Sequence, residues 1–131
     1  MRFYIGSGLQ HYELVRYYAN ALKDYGWEQT YDWTRHIQTE TTLEALAEYA
    51  EAERKAIWDS DVVVILLPAG RGTHVELGLA LAHDKKVFLC AASQEEFSIE
   101  HTVAFYELPG VAQLVGPADE QIKEIIKAQM K

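Results

Sequence analysis

A single cysteine, Cys90, leaves a disulfide without a second partner and a thiolate metal cluster without ligands, so the chain reads as a protein of reducing cytosol. Basic charge is also scarce. Twelve Lys and Arg stand against 20 Asp and Glu, for a formal net charge of -8, and the cations are scattered along the chain. Sequence-independent binding to DNA or RNA needs clustered cations to neutralise phosphates, so a nucleic-acid polymer is not an expected partner. A free nucleotide is a different case, because one or two local donors hold a single phosphate. No apolar run approaches the roughly 20 residues of a membrane span, and no signal-peptide-like core follows Arg2, so neither membrane insertion nor export is expected. The five histidines are dispersed without His-x-x-x-His spacing. Neither a metal nor any other cofactor is expected.

What is present is a globular composition: 49% hydrophobic and 24% charged residues over 131 positions, which is one domain over residues 1–131 with one core. Phe3 to Gly6 reads as a strand, and Gly6-Ser7-Gly8 as the turn into a helix from about Gln10 to Tyr25, ended by Gly26. Trp27 to Tyr31 reads as a second strand, and Thr41 or Thr42 caps a long helix reaching Trp58. Val62 to Leu67, Lys86 to Ala91 and Val111 to Val115 complete five strands, with a short helix expected within Ile99 to Tyr106 and an amphipathic one over Asp119 to Met130. Strands alternating with helices imply an α/β, Rossmann-like sandwich: a five-stranded parallel sheet covered by helices on both faces. In a flavodoxin-like strand order the ligand crevice lies beyond the carboxyl ends of the first and third strands, where Gly6-Ser7-Gly8 and residues 68–73 meet.

Within that frame one residue is out of place. After the turn Pro68-Ala69-Gly70-Arg71-Gly72, Thr73 is a good N-cap, and residues 75–82 are apolar on every side of a helical wheel except at Glu76. The helix is therefore expected to be buried all round, with a carboxylate in its first turn beside the crevice. The positive helix end is expected to keep that carboxylate ionised, as a nucleophile requires. A second acid comes from the long helix. With Leu43 at zero on the wheel, Leu46, Ala47, Ala50 and Ile57 form the expected buried stripe, and Glu53 falls at its edge. On the wheel alone Glu53 is equally a solvated residue or the partner of Arg54. Two carboxylates facing one crevice suit double-displacement cleavage of a glycosidic bond, in which Glu76 attacks and Glu53 shuttles the proton. Tyr4, ending the first strand, is either a hydrogen-bonding partner of the nucleophile or a core aromatic.

The run from Asp61 through Gly70-x-Gly72-Thr73-x-x-Glu76-Leu-Gly78, preceded by Glu53 and by Phe3-Tyr4-Ile5-Gly6-Ser7, resembles the nucleoside 2-deoxyribosyltransferase family and its relatives that hydrolyse nucleoside 5′-monophosphates. The order of elements matches along most of the chain. The resemblance implies an enzyme in which Glu76, of Glu-Leu-Gly, is the nucleophile, Glu53, eight residues before Asp61, is the proton shuttle, and Tyr4 holds the nucleophile. It implies a nucleoside or nucleotide substrate, a covalent glycosyl-glutamate intermediate, and transfer to water or to another base. Those nucleotide hydrolases carry a serine six residues before the nucleophile, at the substrate 5′-phosphate, where this chain has Gly70. Thr73, the amides of residues 70–73, Ser7 between Gly6 and Gly8, and Arg71 are the candidate replacements; Arg71 is equally an exposed solubilising charge. Tyr31, Asp32 and Trp33 follow the second strand, where relatives place residues that flank the nucleobase or sugar: an aromatic there is a candidate to stack on the base, unless Trp33 packs beneath its own loop, and Asp32 a candidate acceptor for a ribose hydroxyl or base amine. His74 reads as an exposed neighbour of the nucleophile.

Two other functions compete: a nucleotide-sensing module without turnover, and a TIR-like enzyme that releases nicotinamide from a dinucleotide. The Glu-Leu-Gly helix argues against the second. A dinucleotide fingerprint fails, because Gly70-x-Gly72 lacks its third glycine at position 75. Relatives build their pockets across subunit contacts, and Tyr17, Tyr18, Trp58, Phe105 and Tyr106 offer more apolar surface than a small domain buries, so a homodimer or larger oligomer is expected.

Overall fold

The central strand of the chain is apolar at every position. In the computed structural model, which describes residues 1–37 and 41–130, it runs as β3 (Val62–Leu66), and all five of its side chains are buried. A strand without a polar alternate position has no face for water and must lie inside a sheet covered on both sides. Around it lie β1 (Arg2–Gly6), β2 (Glu28–Gln29), β4 (Lys86–Ala91) and β5 (Val111–Val115), all parallel, in the order β2-β1-β3-β4-β5. The expected five-stranded parallel sheet and its strand order are therefore found. Four helices cover it: α1 (Tyr12–Asp24), α2 (Leu43–Asp59), α3 (Arg71–Ala82) and α4 (Ala118–Ala128). α2 packs against α3, and α1 against α4, one pair on each face.

The local signals explain most of the element ends. Gly26 takes φ +106° just past α1, a conformation that costs a residue with a Cβ but not glycine. Thr42 caps α2 by accepting a hydrogen bond from the Ala45 amide at 3.0 Å. At the other end of that helix the Ser60 hydroxyl donates to the Ala56 carbonyl at 2.7 Å, turning the chain into β3. Three expectations are corrected. The second strand is only Glu28–Gln29, and the short helix within Ile99 to Tyr106 shrinks to a 3-10 turn at Ala104–Glu107. α3 begins at Arg71 with Gly70 as N-cap, three residues before the Thr73 cap expected. Gly70, at φ -86° and ψ -173°, already supplies the extended conformation a cap requires.

The burial of two helices also departs from the wheel. α3 is not enclosed: Val75 is 65% exposed, while Leu77 and Ala80 face the core. On α2 only Ala56 and Ile57 are buried, and Leu43 is 86% exposed. The reason is length. A 17-residue helix spans roughly 25 Å, whereas the five residues of β3 span roughly 17 Å. α2 runs back along the sheet, so its first half overhangs the carboxyl edge of the strands. The apolar stripe there looks over the crevice instead of onto the sheet.

Candidate active site

The crevice lies where the strand order predicts it, between the ends of β1 and β3. It is a cleft of about 590 Å³ lined by Ser7, Gly8 and Trp33 from one side, Leu46 and Glu53 from α2, and Gly70, Arg71, Gly72, Thr73 and Glu76 from the first turns of α3. At its floor the Tyr4 hydroxyl donates to Glu76 Oε2 at 2.9 Å. Tyr4 itself is fully buried in β1, and burial first, then the Glu76 and Glu53 charges, push its hydroxyl well above the ordinary range. It therefore stays a phenol and a donor at any working pH.

Glu53 lines the same cleft as Glu76, and its carboxyl acts on that of Glu76. Desolvation is the first cause of a Glu76 carboxyl pushed up to about 9, the Glu53 carboxyl the next, and only the Tyr4 hydrogen bond opposes them. The expectation that the helix end keeps Glu76 ionised is corrected on this point. A helix terminus is worth typically 0.3–1 kcal/mol, up to ~2, and two neighbouring carboxyls in a partly dry cleft outweigh it. Burial and the neighbouring Glu53 carboxyl favour the protonated form of Glu76. Glu53 faces the cleft as the wheel edge suggested, and Arg54 turns away to Glu51, with an Nη2–Oε1 distance of 2.6 Å.

Each glycine and hydroxyl expected near substrate has a place in this geometry. Gly6 is where the Glu76 carboxylate rests against β1: a Cβ there would collide with Oε1 and press on Ile65 Cδ1 at 3.2 Å. The Ser7 hydroxyl donates to the Leu66 carbonyl at 2.8 Å, tying the end of β1 to the end of β3. Gly8 stands on the rim against the Gln10 side chain. Gly70, Arg71, Gly72 and Thr73 form the first turn of α3, and no side chain caps it. Asp32 is occupied elsewhere: Oδ1 accepts from the Thr34 amide at 3.0 Å and from its hydroxyl, and the residue lines neither the cleft nor its extension. Trp33 is 7% exposed and its Nε1 donates to the Ile5 carbonyl at 2.8 Å, so it packs beneath its loop and still presents a face to the cleft.

Sequence reasoning missed a second hollow of about 310 Å³, which adjoins the cleft through Leu9, Trp33, Leu46 and Glu53. Its walls include Tyr31, His36 and Tyr49, whose rings stack in sequence, His36 lying 4.7 Å from Tyr49 and 6.2 Å from Tyr31. One signal was available: Leu46, Tyr49, Ala50 and Glu53 follow the i, i+3, i+4, i+7 pattern of one helix face. Among the described residues no group of three His, Cys, Asp or Glu is placed to hold a metal ion, and no helix is long and apolar enough to cross a membrane.

Residues 3–127 match the family described as nucleoside 2-deoxyribosyltransferase. Among solved structures, the Clostridium botulinum CMP N-glycosidase BcmB is similar, with a TM-score of 0.69 over 96% of this chain and 99% of that one, at 19% sequence identity. At that identity the likeness speaks to the fold. No curated protein matched the sequence. With the family match running over nearly the whole length and the acid pair and tyrosine lying together in one cleft, the chain belongs to the nucleoside 2-deoxyribosyltransferase family and is an enzyme of glycosidase or transferase type.

Proposed function

We propose that the protein cleaves the N-glycosidic bond of a nucleoside or nucleoside 5′-monophosphate through a covalent glycosyl-Glu76 intermediate. The observation that carries this reading is the convergence of Glu76, Glu53 and Tyr4 in one cleft. A Glu76 carboxylate oxygen attacks C1′ of the sugar; the bond from C1′ to the base nitrogen breaks, and Glu53 gives its proton to the departing base. Water or a second base then attacks C1′ from the vacated side, Glu53 takes the proton that the incoming nucleophile loses, and Glu76 leaves as a carboxylate. Tyr4 donates to Glu76 throughout and keeps it oriented.

Proton inventory supports the scheme. The first step needs one proton on the acid pair, and burial together with the neighbouring Glu53 carboxyl favours keeping one at Glu76. Glu53 lies at the junction of the two hollows, the position an acid must occupy between sugar and base. The sugar is assigned to the cleft with Glu76, and the base to the hollow walled by Tyr31, Trp33, His36 and Tyr49, where flat rings favour stacking. A 5′-phosphate, where present, meets the uncapped first turn of α3, whose amides, with Arg71 and Thr73, stand in for the serine replaced by Gly70.

Leu46, half exposed, lines the cleft on the α2 side, and Leu43 on α2 and Val75 on α3 are exposed. A second copy of the chain covering these residues would exclude water and favour transfer of the sugar over loss to hydrolysis. The activity is tested by incubating ribo- and deoxyribonucleosides and their monophosphates with the protein and with Glu76→Gln, and following free base by chromatography. Base release that falls at least about a hundredfold in the variant is expected. No release from any substrate, with binding retained, leaves a nucleotide-sensing module instead.

A further inference from the structure

His74 reads from the sequence as an exposed neighbour of the nucleophile, and the structure gives both of its ring nitrogens a partner. Nδ1 lies 2.8 Å from the Gly70 carbonyl oxygen, and Nε2 lies 2.7 Å from the Tyr106 hydroxyl. A carbonyl only accepts, so Nδ1 carries the ring proton; the neutral ring then leaves Nε2 to accept from Tyr106. Tyr106 is a firm anchor. It is 4% exposed, lies parallel to the imidazole at 6°, meets the Phe97 ring edge-on, and its carbonyl accepts from the Gln113 side chain at 2.9 Å. A hydrogen-bonded line thus runs from β5 through Tyr106 and His74 to Gly70.

Gly70 is the residue that needs holding. It is the N-cap of α3, no side chain caps the turn, and nothing stands within 4 Å of where its Cβ would be. Glycine without neighbours samples many backbone conformations. Its carbonyl is nevertheless bonded twice by His74, from the backbone amide at 3.1 Å and from Nδ1. In a trans peptide the carbonyl and the following amide point in opposite directions. Holding the Gly70 carbonyl along the helix therefore turns the Arg71 amide out of the helix start and into the cleft. Two further donors converge there. Thr73 is 5% exposed and lines the cleft. The Arg71 guanidinium stands at the same turn without an ion pair among those residues.

We propose that His74, backed by Tyr106, is a positioning residue that fixes the Gly70–Arg71 peptide so that the first turn of α3 receives the 5′ anion of the substrate. It does so in a chain that has no side chain at position 70 to perform that task. The inference rests on the proposed glycosidic cleavage, in its 5′-monophosphate form.

The test compares a nucleoside 5′-monophosphate with the matching nucleoside on the wild type, His74→Ala, His74→Asn and Tyr106→Phe. It adds ribose 5-phosphate binding by calorimetry and a circular-dichroism check of folding. His74→Ala is expected to raise KM for the monophosphate at least about tenfold, while kcat changes less than about threefold and the nucleoside kcat/KM stays level. His74→Asn, whose Nδ2 reaches Gly70 as Nδ1 does, should recover most of that loss. Tyr106→Phe should give a smaller loss in the same direction, and it carries the comparison if His74→Ala fails to fold. An equal fall on both substrates, no change on either, no wild-type preference for the phosphorylated substrate, or an Asn variant no better than Ala overturns the inference. A wild type that releases base from neither substrate defeats the catalytic reading alone. Ribose 5-phosphate then decides: at least about tenfold weaker binding to His74→Ala sustains the role of His74, and equal binding removes it.

Discussion

The Tyr4 hydroxyl reaches Glu76 Oε2 at 2.9 Å, linking the first strand to a helix 72 residues later in the chain. The bond opposes both burial and the Glu53 charge at Glu76. Removing it should raise the affinity of Glu76 for its proton still further. Tyr4→Phe is therefore expected to lower kcat roughly 10- to 100-fold, the cost of a hydrogen bond to a charged group. It should also move the acid limb of the pH–rate profile to higher pH. A profile of unchanged shape at reduced height would show that Tyr4 acts only through packing.

Gly6 is expected to tolerate no side chain. Alanine there collides with Glu76 Oε1 and crowds Ile65 Cδ1. The carboxylate end is the movable party, so Gly6→Ala should fold with a loss of roughly 1–3 kcal/mol, yet lose at least about a hundredfold in kcat because the nucleophile leaves its geometry. Chemical denaturation beside steady-state kinetics separates the two effects, and near-normal kcat would refute the close approach.

The acid pair is a cost to the fold. Glu76 binds its proton more tightly in the folded cleft, at about 9, than at its ordinary value of 4.5, so between those values the folded chain holds more protons than the unfolded one and stability falls as pH rises. Glu76→Gln removes that titration and keeps an acceptor for Tyr4. Its stability advantage over wild type, read by chemical denaturation, should be absent below about pH 4.5 and widen up to about pH 9, by at most about 1.4 kcal/mol for each pH unit. A constant or shrinking difference across that window would contradict the burial of the charge.

Light scattering tests the assembly. The wild type is expected at twice the chain mass, and Val75→Glu, on the exposed face of α3, should shift it to the monomer with lower activity, because the cleft loses its cover. A fully active wild-type monomer would remove the second copy from the account.

The sheet was legible because β3 is apolar at every position and punctuated by turns, and because short strands alternate with helices of sufficient length. The acids were legible because Glu76 stands alone in an apolar helix and Glu53 falls on the inward edge of α2. Other features needed three dimensions. A helical wheel reports which residues share a face, and says nothing of where the sheet ends beneath them, so Leu43 and Leu46 read as core when they overhang the crevice. The ionised Glu76 followed from the helix end considered alone, whereas burial in the cleft, and after it Glu53, 23 residues earlier, push its carboxyl up. The Tyr31–His36–Tyr49 wall joins a loop to a helix, and the His74–Tyr106 bond joins α3 to a distant turn; neither pair shares a local pattern.

The central claim is that Glu76 forms a bond to the sugar. A 2-deoxy-2-fluoro sugar analogue of a turned-over substrate, carrying a readily departing base, slows both steps because fluorine destabilises the positive charge that develops at C1′, and the good leaving group lets the intermediate form faster than it is released. Intact mass spectrometry followed by peptide mapping should then find one fluoroglycosyl group per chain, on the peptide carrying Glu76, and none on Glu76→Gln. An unmodified wild type during turnover of the normal substrate, or an adduct on Glu53, would contradict the assignment.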